Sequence, residues 1–336
     1  MDRQRCIGYN LTQDMSPIAQ VNCSNSSDFL LSGIPSFDDY NFWMGFPLIS
    51  MYLVAVMGNV SILYIIKVDP ELHEPMYIFL FMLSMIDLLT ATTTMPRMLG
   101  IFWMDNRVIA FDMCLTQMFF IHFLSALESG ILVAMAVDRY VAICHPLRYS
   151  SILTLEKIGK MSAMIVGRGT LVMVPIPFII KRLPQWKGNL LTHSFCLHQE
   201  VMNLACGDIR VNVIYGLFVI LSVMGIDSLF ISFSYFLIIK AVLGLIEEDS
   251  TKAFSTCAAH ICAVLVYYIP LIGLSVVHRF KSNTTPALHI LFGNVYLLLP
   301  PVINPLIYGI KTKQIRNRLK KIYSKIIHQE KNAMII

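Results

Sequence analysis

Seven long apolar stretches are the feature that most constrains the fold of this chain of 336 residues. A helical segment of about 20 apolar residues crosses the hydrocarbon core of a bilayer. Only 14% of the residues are charged, which is well below the roughly 25% of a soluble domain. The sequence therefore predicts an all-α membrane protein, a bundle of seven transmembrane helices. The predicted spans lie at about 42–66, 76–103, 115–137, 158–180, 211–239, 254–277 and 287–310.

The distribution of charge predicts how this bundle is oriented. Basic residues crowd the end of the chain, at Lys311, Lys313, Arg316, Arg318, Lys320, Lys321 and Lys325. The positive-inside rule places such a segment in the cytoplasm, and seven spans then leave the N-terminus outside. Nothing globular surrounds the basic cluster, so no nucleic-acid partner is expected. The expected organisation is an extracellular arm at 1–41, a membrane domain at 42–310 and a cytoplasmic tail at 311–336.

Both ends of the chain carry features that suit these sides. Asn10, Asn22 and Asn25 each begin an acceptor sequence for N-glycosylation, as an extracellular arm should carry. The arm lacks an apolar signal-peptide core, so span one is expected to act as an uncleaved signal anchor. In the tail, residues 315–327 predict an amphipathic helix that lies on the anionic inner leaflet of the membrane. Its apolar face consists of Ile315, Leu319, Ile322 and Ile326.

A charged triplet ends span three, where residues 135–150 read MAVDRYVAICHPLRYS. A charged pair at the end of a long apolar segment is expected where a helix leaves the bilayer. There Arg139 would meet lipid headgroups or a cytoplasmic partner. Its expected partner in an inactive state is the neighbouring Asp138. The triplet Asp138-Arg139-Tyr140 therefore indicates a signal that crosses the membrane rather than a catalysed reaction.

The end of span seven reads NPLIY, at residues 304–308. Asn304, Pro305 and Tyr308 combine a polar side chain, a helix kink and an aromatic hydroxyl near the level of Arg139. Such a segment can adopt two packings. An ordinary proline kink explains this motif when it is taken alone. Together with the triplet at the end of span three, it favours a conformational switch.

Four polar residues fall at similar depth inside the predicted bundle. Asp87 and Glu128 lie near the bilayer midplane, and Asn59 and Asn304 lie in the same cytoplasmic half. Intramembrane carboxylates are costly, so they are usually functional or paired. Two acids and two amides suit a hard cation such as sodium, or a shared proton. A static hydrogen-bond network that specifies helix packing explains them equally well, and the two interpretations can coexist.

Two cysteines are candidates for an extracellular bridge. Cys114 opens span three, and Cys196 lies in the long loop between spans four and five, here called the second loop. Both fall on the oxidising side, where a bridge would pin the loop over the bundle. Cys206 has no obvious partner, and Cys6 and Cys23 are only loose candidates. Metal binding by the histidines that flank Cys196 is not favoured, because the bridge would use its sulfur.

Polar residues near the extracellular mouth are candidate ligand contacts. His122 lies about 12 Å below the start of span three, and Arg279 ends span six with Ser275 one turn deeper. Gln199 lies in the second loop. The simpler alternatives are a structural histidine in the core and an arginine that snorkels to the headgroups. The shared depth of these residues favours ligand binding.

Several strings along the chain are typical of one receptor family. MAVDRYVAICHPLRY at 135–149 and KAFSTC at 252–257 are highly specific to odorant receptors. SFCLHQEVMNLAC at 194–206 and PLIGLSVVHRF at 270–280 point to the fish-like class I group. The other matching strings are Gly58-Asn59, LHEPMYIFL (72–80), LSMIDLL (83–89), Tyr267-Tyr268-Ile269-Pro270 and PPVINPLIYG (300–309). From about 42 to 323, the chain resembles rhodopsin-like seven-helix receptors, and among them the class I odorant receptors.

The resemblance implies a receptor for small odorants in the plasma membrane that activates a heterotrimeric stimulatory olfactory G protein and raises cAMP. By the family pattern, Cys114 pairs with Cys196 and Arg139 lies at the G-protein interface. Asp87 and Glu128 form a sodium-type site, and no other cofactor is implied. The class I strings also imply small, fairly polar odorants, including carboxylic acids, as ligands for the contacts near the mouth.

The chain departs from the family pattern at two places. The second-loop cysteine expected before residues 187–189 is absent. Cys206 is therefore predicted to lack its family partner, and a second bridge within the loop is not expected. Ala259 stands where the family has a serine before His260, so the local hydrogen bonding should differ.

Other functions are less well supported by the sequence. A non-olfactory chemosensory receptor for small metabolites would share these features. A transporter or channel would use Asp87 and Glu128 as an ion path, but transporters usually contain paired repeats and broken helices, and no repeat is found. An enzyme is not indicated, because the spans contain neither Ser/His/Asp nor metal-hydrolase spacing.

Overall fold

The computed structural model describes residues 23, 28–32, 41–183, 185–243, 247–279, 286–312 and 314–321. Seven helical segments in this part are long and apolar enough to cross a membrane, which confirms the predicted fold class. Spans one to three are α1 (Asn41–Val68), α2 (Pro75–Met104) and α3 (Phe111–Cys144). Spans six and seven are α10 (Glu247–Arg279) and α11 (Pro286–Lys311).

Spans four and five are interrupted helices. Span four consists of α5 (Leu155–Met173) and α6 (Pro175–Lys181), because Pro175 has no N–H to continue the ladder of α5. Span five consists of α8 (Arg210–Ile220), a π-helix (Leu221–Gly225) and α9 (Ile226–Val242). Short elements connect the spans, namely two 3₁₀ helices (Pro70–Leu72 and Pro146–Arg148), α4 (Tyr149–Ile152) and α7 (His198–Leu204). A further helix at 314–321, here the tail helix, follows span seven.

Span three is the central helix of the bundle. In the most apolar 18-residue stretch of span three, 67% of the residues are buried. The corresponding shares are 28% in span four and 17% in span five. Spans four and five therefore present most of their apolar surface to the lipid. Span three also continues beyond its predicted end at residue 137, because Asp138 and Arg139 are buried rather than released into solvent. We call the end of the bundle that carries the second loop the outer end, and the end that carries the tail helix the inner end.

The outer end is covered by short strands that the sequence did not predict. The strands are β1 (Asp28–Leu31), β2 (Val108–Ala110), β3 (Gln185–Trp186), β4 (Leu190–Leu191) and β5 (Ala205–Cys206). β1 is the middle strand of a sheet, antiparallel to β2 and parallel to β4, and β3 pairs with β5. Phe29 of β1 is buried, with its ring centroid 5.3 Å from that of Trp186. The arm and the second loop thus form one lid.

Two disulfides pin this lid. Cys114 and Cys196 are bonded, with their Cα atoms 5.5 Å apart, as predicted. Cys206 is bonded to Cys23, with a Cα separation of 6.2 Å. Cys206 thus has a partner in Cys23, which the sequence offered only as a loose candidate. The partner lies in the arm and not in the loop, because β1 threads between the first outer connection and the second loop. The glycosylation candidates Asn10, Asn22 and Asn25 lie outside the described residues, as do Ile322 and Ile326 of the predicted amphipathic helix.

Candidate functional site

A cavity of about 70 Å³ lies directly beneath the lid, between spans three, five, six and seven. We call it the outer cavity. Three of the four predicted ligand contacts line it, namely His122, Gln199 and Ser275. The side chain of the fourth, Arg279, lies outside the described part of the chain, although its backbone ends α10.

The walls of the outer cavity are mostly apolar, with a few hydroxyls that are already engaged. Tyr267 donates its hydroxyl to the carbonyl of Ser125 at 2.8 Å. Ser275 donates to the carbonyl of Leu271 at 2.9 Å. His122 accepts a long hydrogen bond of 3.4 Å from the backbone N–H of the second loop. The cavity can therefore hold a small ligand with one polar end, which is the usual character of a small-molecule site.

The N–H donor to His122 belongs to His198, which the sequence did not single out as a ligand contact. The His198 side chain is buried, and a Cβ added at Gly216 would lie 3.3 Å from its ring. Burial lowers the pKa of His198 to about 4, although a hydrogen bond with Asn212 acts in the opposite direction. His198 is therefore neutral at physiological pH, and its contact with His122 is the backbone N–H.

A second polar cluster lies deeper, where the sequence expected it. Asn304 donates to both carboxylate oxygens of Asp87, at 3.1 and 3.3 Å. Asn59 donates to two backbone carbonyls at 2.9 Å, one in span one and one in span seven. All three side chains are buried, as is that of Glu128. The structure therefore brings the two predicted acids and two amides into one region between spans one, two, three and seven.

Three oxygen atoms of this cluster lack a hydrogen-bond partner among the described residues, namely Glu128 Oε1, Asn59 Oδ1 and Asn304 Oδ1. Unpaired buried oxygens are unfavourable, and oxygen ligands suit a hard cation. The donor set thus fits sodium, and it fits a proton shared by the two carboxyls as well. No three His, Cys, Asp or Glu side chains that could hold a metal ion come together within the described ranges.

At the inner end of span three, Asp138 accepts hydrogen bonds from two neighbouring side chains. Arg139 Nε lies 2.9 Å from Asp138 Oδ2, and Arg139 Nη2 contacts the same oxygen. The hydroxyl of Tyr149 in α4 donates to Asp138 Oδ1 at 2.7 Å. Burial and the neighbouring Asp138 carboxylate raise the pKa of Tyr149, so its hydroxyl stays protonated as a donor. The structure thus contains the predicted contact between Asp138 and Arg139, and it adds a donor that the sequence did not reveal.

The other predicted switch residues pack nearby. Tyr308 lies with its hydroxyl 3.9 Å from the sulfur of Met135, one turn of span three before Arg139. Pro305 packs against span one so closely that a Cβ added at Gly58 would lie 2.8 Å from it. Tyr140 packs against a small cluster formed by spans five and six. The end of span seven therefore contacts spans one and three at the level of the charged pair.

A buried ion pair between spans four and five was missed by sequence reasoning. Arg168 forms two hydrogen bonds with Asp227, at 2.5 and 2.6 Å. Ser129 of span three donates to Asp227 at 2.6 Å and lies 2.9 Å from the hydroxyl of Tyr268 in span six. This Arg168–Asp227 network joins four spans. One sequence feature could have revealed this pair: Arg168 and Asp227 carry opposite charges and each interrupts an otherwise apolar span.

His260 forms a further unpredicted link at the inner half of span six. Its Nδ1 lies 2.7 Å from the hydroxyl of Tyr235 in span five, and its Nε2 lies 3.0 Å from the carbonyl of Leu132 in span three. Ala259, where the resemblance predicts a serine, is buried. With alanine at position 259, both ring nitrogens of His260 have hydrogen-bond partners.

The tail helix is held against the first inner turn. Arg318 contacts Asp69 and donates to Glu71 at 2.7 Å, and Ile315 is fully buried against the bundle. At least this part of the predicted amphipathic face therefore packs on protein.

One continuous helix, span three, thus runs from the outer cavity to a buried arginine at the inner end. The chain superposes on squid rhodopsin with a TM-score of 0.71 over 88% of either chain, at 16% sequence identity. This likeness concerns the fold alone.

The sequence comparisons are more specific. A family model described as "Olfactory receptor" matches residues 48–326. Olfactory receptor 51E1 of Homo sapiens is 54% identical over 307 residues, which cover 91% of this chain and 96% of that protein. Olfactory receptor 51E2 of Rattus norvegicus is 55% identical over 296 residues, which cover 88% and 92%. The chain belongs to the olfactory receptor family. It is a multi-pass G-protein-coupled receptor and not an enzyme, and its partners are a small-molecule ligand and a G protein.

Proposed function

We propose that this receptor binds small polar odorants in the outer cavity and activates a stimulatory olfactory G protein, which raises cAMP. The observation that carries the proposal is the convergence of His122, Gln199 and Ser275 on one cavity beneath the lid. The receptor acts in the plasma membrane with its outer end facing the extracellular side. Two disulfides at the outer end and a basic tail at the inner end support this orientation.

Carboxylic acids are the ligand class that we propose. Ser275 lines the cavity, and Arg279 follows it by one helical turn at the outer end of span six. A carboxylate that meets a guanidinium in a partly dry site gains a charge-assisted contact. The alternative is that Arg279 reaches the headgroups or pairs with Glu200. The cavity would then be mainly apolar and would prefer alcohols or esters.

The test compares an acid with its methyl ester on the wild type and on Arg279→Ala, with cAMP as the readout. We expect the substitution to reduce the potency of the acid by one to two decades, since such contacts contribute about 1.5–3 kcal/mol. The ester response should change little. Arg210→Ala is the matched control, because Arg210 is exposed at the outer end of span five and pairs with Asp208 at 2.6 Å. Equal loss for both ligands, or no loss, would mean that Arg279 has a structural role.

Ligand binding in the outer cavity is tested separately with His122→Ala and a panel of volatile acids, alcohols and aldehydes. The substitution removes one polar contact, so potency should fall by up to about tenfold. Thr116→Ala is the control on the same helix, because Thr116 is exposed and donates to the carbonyl of Asp112 in its own helix. No response of the wild type to any member of the panel would contradict the proposed odorant class.

The inner residues are proposed as the switch that ligand binding operates. Span three carries both His122 and Arg139, and the polar cluster around Asp87 and Glu128 lies between them in depth. We propose that this cluster binds sodium or shares a proton in the inactive receptor. Ligand binding then favours a state in which Arg139 leaves Asp138 and engages the G protein.

A further inference from the structure

A groove of about 260 Å³ opens toward the lipid between spans five and six, beside the outer cavity. Its rim on the membrane side consists of Leu221, Ile272 and Val276, which are about half exposed. The two spans are joined nearer the inner end, where Tyr235 lies 2.7 Å from His260. The gap between them is therefore confined to the outer half of the bundle.

The groove adjoins the outer cavity. Ile220, Met224 and Ser275 line both of them, so one layer of side chains separates the two spaces. The side chain of Met224 is flexible and that of Ser275 is small, and all three side chains are only half-buried. A ligand in the outer cavity can reach the groove by displacing a methionine side chain, which adapts its shape readily.

The walls of the groove suit hydrocarbon. Its three hydroxyls are all engaged elsewhere in the protein. Ser228 donates to the carbonyl of Gly225 at 2.9 Å, and Ser275 donates to that of Leu271 at the same distance. The hydroxyl of Tyr268 lies 2.9 Å from that of Ser129. Because these hydroxyls already have partners, the groove favours an apolar occupant.

Gly225 keeps the groove open. It ends the π-helix of span five and lines the groove, and a Cβ built there would lie 4.0 Å from the nearest side-chain atom, on Leu221. A larger side chain at this position would enter the groove without a clash with the backbone. The π-helix adds a residue to the span at this level, a feature that is frequent at functional sites.

We propose that this groove binds the hydrocarbon chain of an amphiphilic ligand whose polar end lies in the outer cavity. The inference rests on the proposed function of that cavity. A space of about 70 Å³ holds on the order of five water-sized groups. A chain longer than this must leave the cavity, and the groove is the adjoining apolar space on the membrane side. The receptor then binds ligands whose hydrocarbon chains are too long for the outer cavity alone.

A homologous series of straight-chain acids and alcohols tests the proposal through cAMP. In the wild type, potency should increase by up to roughly fourfold per added methylene once the chain enters the groove. Gly225→Phe should abolish this increase and leave the shortest members within twofold of wild type. Gly167→Phe is the matched control, because Gly167 is exposed on span four with no atom within 4 Å of an added Cβ. Ile272→Ala should extend the tolerated chain length.

A labelling experiment makes the result independent of signalling. The full chain in lipid nanodiscs is irradiated with a ten-carbon alcohol that carries a terminal diazirine. Adducts are expected on the peptides that contain Leu221 and Ile272, and they should be lost in Gly225→Phe and kept in Gly167→Phe. Adducts that persist in Gly225→Phe, or that excess unlabelled alcohol fails to displace, would overturn the subsite. The second result would mean that bilayer lipid occupies the groove.

The two proposals fail in different ways. Specific adducts without any cAMP response to the series would support the groove and contradict the proposed odorant class. A cAMP response that Gly225→Phe weakens equally for all chain lengths, at equal surface expression, would contradict the groove and leave the proposed receptor function in place.

Discussion

Asp138 is the residue on which the inner charged pair depends. Its carboxylate is fully buried and is bonded by the guanidinium of Arg139 and by the hydroxyl of Tyr149. Loss of a charged partner leaves a buried charge uncompensated, whereas loss of the neutral donor weakens the site by about 0.5–1.5 kcal/mol. Adjacency in the sequence predicted the first contact. The second could not be predicted, because Tyr149 reaches Asp138 from a separate short helix.

We predict that Arg139→Ala abolishes the cAMP response to ligand and leaves ligand binding intact, because Arg139 lies far from the outer cavity. Tyr149→Phe should instead raise basal cAMP by a factor of up to about ten, since it weakens the hold on the Asp138–Arg139 pair. The measurements are reporter output and direct binding at equal surface expression. Ser151→Ala, which removes only an exposed local hydrogen bond, is the control. Full signalling by Arg139→Ala would contradict the assigned role.

The cluster around Asp87 gives a second prediction at this scale. Asp87→Asn and Glu128→Gln should each reduce the sodium sensitivity of activation, and the double variant should change it by less than the sum. The reason is that two carboxyls in a buried site share one cation or one proton. The experiment titrates sodium against potassium at constant ionic strength and measures basal and stimulated G-protein activation. Additive effects without dependence on sodium would favour a purely structural network.

At the scale of elements, the sequence predicted the membrane helices and missed the lid. A helix that crosses a bilayer is dictated by apolar length, a local property that one segment carries alone. Strands β1 to β5 have two to four residues. The pairings of β1 join the arm to segments about 80 and 160 residues further along the chain. No local pattern encodes such contacts. The sequence did not identify the partner of Cys206 for the same reason, because Cys23 lies 183 residues earlier.

We predict that Cys23→Ser, Cys206→Ser and the double variant destabilise the receptor to the same extent, because each breaks the same bond. A bridge that closes a long loop typically contributes about 2–4 kcal/mol. Thermal unfolding of the purified receptor gives the loss of stability, and non-reducing peptide mapping verifies the bond. Cys114→Ser should be more damaging, because Cys114 lies in the central span. A double variant that is clearly worse than either single one would show that the two cysteines act separately.

For the whole molecule, the question is how the outer cavity communicates with the inner charged pair. Span three covers the distance from His122 to Arg139, about 26 Å at the rise of an α-helix. Between them, Ser129 joins the Arg168–Asp227 network, which reaches spans four, five and six. The sequence identified residues at both ends, because these lie in continuous motifs. It did not reveal the network, because the pairing of distant spans is a property of the assembled bundle.

The last prediction concerns this network. Asp227 is almost fully buried, whereas a third of the Arg168 side chain is exposed. Arg168→Gln should therefore be more damaging than Asp227→Asn, because it leaves a buried carboxylate without its cation. Breaking a fully buried pair typically costs about 3–5 kcal/mol, and the partial exposure of Arg168 makes the cost here smaller. The double variant Arg168→Gln/Asp227→Asn restores neutrality, so it should recover part of this loss.

The readouts are surface expression, thermal stability and ligand-stimulated cAMP for the four members of the cycle. The control is a second cycle on span four, in which Glu156→Gln and Lys160→Gln remove an exposed ion pair of 2.6 Å. That pair should contribute at most about 0.5 kcal/mol. If the double variant of the buried pair were as poor as the sum of its single variants, Arg168 and Asp227 would act independently. If the double variant of the buried pair recovered thermal stability but not the cAMP response, the two charges would serve signalling across the bundle and not its assembly.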